Sequence, residues 1–192
     1  MSAPPDDADT TPGLPDDAFE HDGLLTKRHQ RASAFAYLRP RPGELLWDIG
    51  AGSGAMGIEW ARAAADARAI GVERNAERAA RARRNAARLA PGRVEIVESD
   101  AASAVGALPT PDAAFLGGGV TADVLEACWE ALRTGGRIVA HGVTIDTEAV
   151  LVAAYRAHGG ALARLGVEHA EPIGSFLGWT PLRAVIQWSG RK

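Results

Sequence analysis

Apolar positions along this chain gather into short runs, separated by longer stretches in which apolar residues recur at helical spacing. Residues 44–49 (ELLWDI), set between Pro42-Gly43 and a glycine turn, read as a strand buried on both faces. An Ala-rich helix at 55–65 and a second buried strand at 69–72 follow, which makes a βαβ unit. The alternation continues with a helix at 75–89 capped by Asn75, a strand at 94–99, a short helix at 101–107 and a strand at 113–116. A helix at 121–132, a strand at 137–141 and a helix at 146–158 complete it. Ahead of the first strand, residues 26–38 predict a lead-in helix that Pro40 and Pro42 stop, with Ala32, Phe35, Ala36 and Leu38 as its apolar side.

The end of the chain breaks this rhythm. Residues 161–167 and 182–188 read as strands, but the stretch EHAEPIGSFLGWT between them has no helix-length periodicity and is expected to be irregular. Strands without a crossover helix pair antiparallel. The pattern therefore predicts an α/β fold, an open parallel sheet covered by helices on both faces and ending in an antiparallel hairpin.

Composition narrows the picture. A chain of 192 residues, 46% hydrophobic and 23% charged, has the size of one domain. No apolar run approaches the roughly 18 residues of a membrane span. Its 21 basic and 24 acidic side chains are mixed, for a net charge of −3, which disfavours nucleic acid as a partner. Cys128 is a single cysteine and the start MSAPPDDADTTPG lacks the regions of a signal peptide, so a cytoplasmic location is expected. Residues 1–13, rich in Pro, Gly and Asp, are expected to be a loose tail, and residues 14–192 one domain.

Candidate chemistry centres on Asp48-Ile49-Gly50-Ala51-Gly52-Ser53-Gly54, where the first strand ends and a helix begins. Glycines there permit positive φ and let a ligand lie against the backbone, and free N–H groups at a helix start attract anionic or strongly hydrogen-bonding groups. Residues 52–57 also satisfy the G-x-G-x-x-G dinucleotide pattern. Asp48 is placed to brace the turn or to meet a cationic amino group. Glu73, ending the second strand, suits the two hydroxyls of a ribose or an ion pair with a neighbouring arginine. Asp100, after the third strand, suits an adenine amino group, a helix cap, or both. The three sites share the carboxyl ends of successive strands, where open α/β sheets bind ligands.

Together, WDIGAGSG, the acidic Glu73 and the Asp-Ala pair at 100–101 resemble the class I S-adenosylmethionine-dependent methyltransferases. That resemblance implies a Rossmann-like, mostly parallel seven-stranded sheet with an antiparallel C-terminal strand. The stretches GLPDDAFEHDGLLTKRHQR, FLGGG and GGRIVAHGVT are similar to the cobalamin-pathway methyltransferases that act on precorrin-6 at C15 with decarboxylation, which occur alone or as the C-terminal half of a C5,15-methyltransferase. Carried over by position, the resemblance places Thr26 against an S-adenosyl-L-methionine donor, Gly50, Ala51, Gly52, Ser53 and Gly54 along its methionine portion, Glu73 on its ribose and Ala101 near its adenine. Ala51 departs from relatives that carry cysteine there. A precorrin tetrapyrrole substrate, a homotetramer and a C5-methylating domain fused upstream are further implications; no metal is expected.

For such a substrate, Gly117, Gly118 and Gly119 leave room for a flat macrocycle, and Lys27, Arg28, His29 and Arg183 are candidates to pair with its carboxylates. Trp179 is a candidate stacking residue or an ordinary packing one. His141 is the candidate for proton handling, with a structural histidine as the alternative. Competing readings are a methyltransferase of RNA or another small molecule, a nicotinamide-dependent oxidoreductase and a non-catalytic ligand-binding module. Gly-Gly-Gly after the fourth strand stands where base-modifying enzymes place a platform for a flipped base.

Overall fold

The computed structural model describes residues 12–192; residues 1–11 of the expected tail lie outside the described residues. At the tail's end Gly13 is tied down, its N–H donating to Glu59 Oε2 at 2.6 Å, and the next residue, Leu14, is buried. The strands are β1 (Leu45–Ile49), β2 (Arg68–Glu73), β3 (Val94–Glu98), β4 (Ala113–Leu116), β5 (Arg137–Gly142), β6 (Ala161–Leu165), β7 (Glu168–Ile173), β8 (Phe176–Pro181) and β9 (Val185–Arg191). The helices are α1 (Arg28–Leu38), α2 (Ala55–Ala63), α3 (Ala76–Leu89), α4 (Ala101–Val105), α5 (Ala122–Ala131) and α6 (Ile145–His158).

Seven strands form one sheet in the order β3-β2-β1-β4-β5-β9-β6, parallel except for β9. Strand side chains alternate between faces, so Trp47, Ile70, Ala114, Ile138 and Trp188 pack with α4, α5 and α6. Leu46, Ala69, Ala113, Phe115 and Val139 pack with α1 and α2 on the other side. β9 pairs antiparallel with β6, as the missing crossover helix requires, yet it does not end the sheet: it inserts between β5 and β6. Burial explains the order. Val185 through Ser189 are all buried, whereas Ala163 and Arg164 of β6 are exposed, so the more apolar strand occupies the interior and the more polar one the edge.

Two local expectations need correction. The stretch expected to be irregular is the hairpin β7–β8, joined through Gly174-Ser175 with Gly174 at φ +61°. A Gly-Ser pair between two strand-length runs is a hairpin signal. The core-facing alternation that would have confirmed it is absent, because the hairpin is exposed, with Phe176, Leu177 and Trp179 at 77%, 76% and 71%. The buried face of α1 is Gln30, Arg31, Ala34, Phe35 and Leu38, and Ala32 and Ala36 face solvent. Hydrophobic patterning misreads that helix because a charged residue holds a core position. Arg31 is buried against Glu59 at 2.8 Å and Asp16 at 2.7 Å.

Candidate active site

β1, β2 and β3 run parallel, so the loops after them share one rim of the sheet. After β1 the chain turns through Gly50, Gly52 and Gly54 at φ of +73°, +57° and +77°, a region that strains any side chain. Gly50 is needed for a second reason: a Cβ there would stand 2.5 Å from the carbonyl oxygen of Gly118, in the loop after β4. The two backbones touch, and the turns after β1 and β4 close on one another. Gly50 and Ala51 donate to the Val72 carbonyl at 2.9 and 3.0 Å, which anchors the turn to β2.

The acidic residues hold this loop in shape. Asp48 is buried and its Oδ2 accepts from the Gly57 N–H at 3.0 Å, bracing the start of α2. Burial pushes its carboxyl up to about 7, against the Gly57 bond, and the nearby Glu73 charge adds to the rise. Its Oδ1 has no partner among the described residues, where no sealed polar side-chain atom goes unpaired, so Oδ1 opens into the site. Glu73 accepts from the Gly52 N–H through Oε2 and from the Asn75 N–H through Oε1, both at 2.9 Å. Backbone amides, not an arginine, are its partners, and each oxygen keeps a further acceptor direction. Asp100 caps α4 by accepting from the Ser103 N–H at 2.9 Å; hydrogen bonding from Ser103, the hydroxyl ahead of the N–H, holds its carboxyl below the usual range.

These turns enclose a cavity of about 770 Å³, within the span of small-molecule sites. Thr26, Asp48, Gly50, Ala51, Gly52, Ser53, Glu73, Asp100 and Ala101 line it, and so do Gly117, Gly118, Gly119, His141 and Arg183. Gly54 is outside the lining, as the N-cap of α2, where a Cβ would stand 3.4 Å from the Ala82 methyl. Arg28 and Trp179 are not brought to the cavity. Arg28 opens α1 with its guanidinium beside Gly13, and Trp179 projects from β8 into solvent. Lys27 lines the cavity, whereas His29 packs its ring 5.4 Å from that of His169.

One wall is the segment 23–27, which precedes α1. Arg78 and Arg81 grip Asp22 at 2.8 and 3.4 Å, and Arg78 above all holds that carboxyl down to about 2. Asn85 is fully buried; its Nδ2 donates to the Glu20 and Ser53 carbonyls, each at 2.9 Å, and so joins this segment to the glycine turn. Arg31 donates to the carbonyls of Thr26 and Leu14.

His141 sits at the end of β5, buried, with Nε2 2.9 Å from Gln187 Oε1 and its ring edge-on to Phe115 at 5.0 Å. Burial pushes the imidazole down to about 4, partly offset by the Gln187 bond, so it is neutral at pH 7. Asn85, Phe115 and Gln187 are absent from the sequence-derived site. For Gln187 a signal exists, since a glutamine between Ile186 and Trp188 in a buried strand needs a partner. No helix of the described residues is long and apolar enough to cross a membrane.

The profile of the family described as precorrin methyltransferase domain matches residues 17–192. A Sinorhizobium protein named precorrin-6Y C(5,15)-methyltransferase [decarboxylating] is 50% identical over 181 residues, covering 94% of this chain and 44% of the relative. The chain thus spans less than half the length of that relative. A Pyrobaculum calidifontis protein, named probable cobalt-precorrin-6B C(15)-methyltransferase (decarboxylating), is 33% identical over 165 residues, which covers 83% of this chain and 80% of the relative. The crystal structure of the C-terminal domain of precorrin-6Y C5,15-methyltransferase from Rhodobacter capsulatus superposes with a TM-score of 0.89 at 43% identity, over 95% of this chain and 99% of that one. The profile takes in every strand of the sheet and every turn around the cavity, and on that ground the chain belongs to the precorrin methyltransferase domain family.

Proposed function

We propose that this domain, residues 14–192, moves the methyl group of S-adenosylmethionine to C15 of a precorrin-6-type tetrapyrrole and releases carbon dioxide from an acetate side chain. The observation that carries the reading is a cavity with two unlike sets of lining residues. Asp48, Glu73 and Asp100 present carboxyl groups beside a tight glycine turn, and Gly117, Gly118 and Gly119, whose backbone meets that turn at Gly50, leave a floor without side chains, with Arg183 and His141 also in the lining. The first set fits the donor. Glu73 accepts from ribose hydroxyls, Asp48 Oδ1 meets the ammonium, Thr26 and Gly50 through Ser53 enclose the methionine portion, and Ala101 and Asp100 border the adenine.

The donor supplies a methyl already activated by a sulfonium charge, so the protein's task is alignment, an effect that can supply about 7–11 kcal/mol of a barrier. The macrocycle carbon forms the new C–C bond with its own electron pair, and the S–C pair returns to sulfur. That carbon then sheds a proton, while the acetate, losing carbon dioxide, needs one on its methylene. Neutral His141 takes up the first proton and returns the second, so the step balances without an external acid. Lys27 and Arg183 face the peripheral carboxylates, at a small gain each where solvent reaches them. Arg28 and Trp179 lie outside this arrangement.

On this reading the C5 methylation in the longer relatives' name falls to the part of them that this chain does not span. The exposed Phe176, Leu177 and Trp179 on the hairpin support self-association into the implied tetramer, which light scattering on the purified chain reads directly. A cytoplasmic location completes the reading. Incubation with S-adenosylmethionine and a precorrin-6 pool, with the product mass as readout, is the test. Gain of a methyl with loss of carbon dioxide is expected; bound S-adenosylhomocysteine with no change in any tetrapyrrole mass would leave the domain a donor-binding module.

A further inference from the structure

His141 and Gln187 are register partners across the antiparallel β5–β9 pair, so their side chains leave the sheet on one face, side by side. Gln187 turns its carboxamide oxygen to the ring at 2.9 Å, and an oxygen only accepts, so the proton of the neutral ring belongs on Nε2. Phe115 packs edge-on against the ring at 83°. Nδ1 has no protein partner among the described residues. Since no sealed polar side-chain atom among the described residues goes unpaired, Nδ1 opens to the cavity that His141 lines.

We propose that Gln187 is a positioning residue, one that holds His141 as the Nε2–H tautomer so that the Nδ1 lone pair faces the bound substrate. The inference rests on the reading of His141 as the group that handles the proton. Burial keeps the imidazole neutral, and a neutral imidazole has one lone pair to offer; the partner on the other nitrogen decides where it points. The pair forms because β9 lies next to β5, between β5 and β6.

The test combines nitrogen-15 NMR of the His141 ring with rates on the precorrin-6 pool. The parent should show the Nε2–H tautomer; an Nδ1–H tautomer in the parent would overturn the proposal whatever the variants do. Gln187→Met should give a mixture of tautomers and lower kcat about 10- to 100-fold, the size of effect that loss of an orienting partner has on a metal-bound histidine. KM and the affinity for S-adenosylhomocysteine should stay put, which a merely structural lesion would not allow. Gln187→Glu keeps an acceptor on Nε2 and should restore the tautomer and most of the rate; if Gln187→Met fails to fold, Gln187→Asn, one methylene short of the ring, replaces it with the same expectation. An unchanged tautomer in the Met or Asn variant, or a kcat within twofold of the parent, refutes the role of Gln187. His141→Asn separates the two readings: if methylation and carbon dioxide release are both unchanged there, His141 itself has no part in the proton transfer, while the tautomer spectra still report on Gln187.

Discussion

Gly50→Ala loads the turn twice. At φ +73° a Cβ brings the left-handed strain of about 1–2 kcal/mol. The same methyl stands 2.5, 2.8 and 3.0 Å from the O, N and C atoms of Gly118, backbone atoms with no rotamer to change, and such overpacking adds about 1–3 kcal/mol. The sum, about 2–5 kcal/mol, is a large share of the roughly 5–15 kcal/mol that holds a domain folded. Gly119→Ala is the matched control. Its φ of +67° brings the same strain, but nothing lies within 4 Å of its Cβ, so only the first contribution applies. Urea unfolding followed by tryptophan fluorescence measures both variants, and calorimetry with S-adenosylhomocysteine, under conditions where each is folded, measures the site. Gly50→Ala should lose clearly more stability than Gly119→Ala and should bind more weakly, because the shifted turn carries with it the Gly50 and Ala51 amides anchored on Val72. Equal stabilities for the two variants would refute the argument that the turns after β1 and β4 are in backbone contact.

Asp48 and His141 act oppositely on stability with pH. Asp48, raised to about 7, holds a proton when folded that the unfolded chain has lost, so its share of stability falls as pH rises from about 4 to 7; His141, lowered to about 4, gives a share that is lost as pH falls from about 6.5 to 4. Chemical unfolding of Asp48→Asn across that range should therefore lose stability toward acid more steeply than the parent, and a profile parallel to the parent's would contradict the raised carboxyl. Asn85→Ala leaves the Glu20 and Ser53 carbonyls without their donor, at about 1–3 kcal/mol for the buried Ser53 group and less for the part-buried Glu20 one. Hydrogen exchange should quicken in residues 20–27 and donor affinity should drop, whereas unchanged exchange there would dissociate this wall from the glycine turn. Arg31→Met strands the buried Glu59 carboxylate, whose pKa burial already raises, and should cost about 3–5 kcal/mol. Adding Glu59→Gln should recover much of that loss in denaturant titrations, and a double variant no more stable than the single one would show that the pair is not the cause.

Much of the site is written locally. Short runs such as LLWDI and AAFL are too apolar for anything but a doubly covered strand, and glycines directly after β1 mark a turn open to a ligand. Those features depend on neighbours a few residues apart, which is why helix and strand positions, the Asn75 and Asp100 caps and the convergence of three strand ends are legible in the sequence. The resemblance to precorrin methyltransferases extends this to most of the residues around the cavity.

What the sequence could not settle depends on contacts between residues far apart in the chain. The buried face of α1 is concealed because Arg31 reaches Asp16 and Glu59 from a core position, a placement hydrophobicity forbids until the partners are known. Arg28 and Lys27 are adjacent, yet only Lys27 meets the cavity, since Lys27 is the extended N-cap and the chain turns into α1 at Arg28. Glu73 proves to be a ligand of the loop's own amides as well as a carboxylate facing the site. The approach of Gly50 to Gly118, and of His141 to Gln187, exists only once β4 lies beside β1 and β9 beside β5. Local sequence determined which elements form, because propensity and burial pattern act over a few residues; strand order decided which side chains meet, because that depends on how whole elements compete for the interior of the sheet.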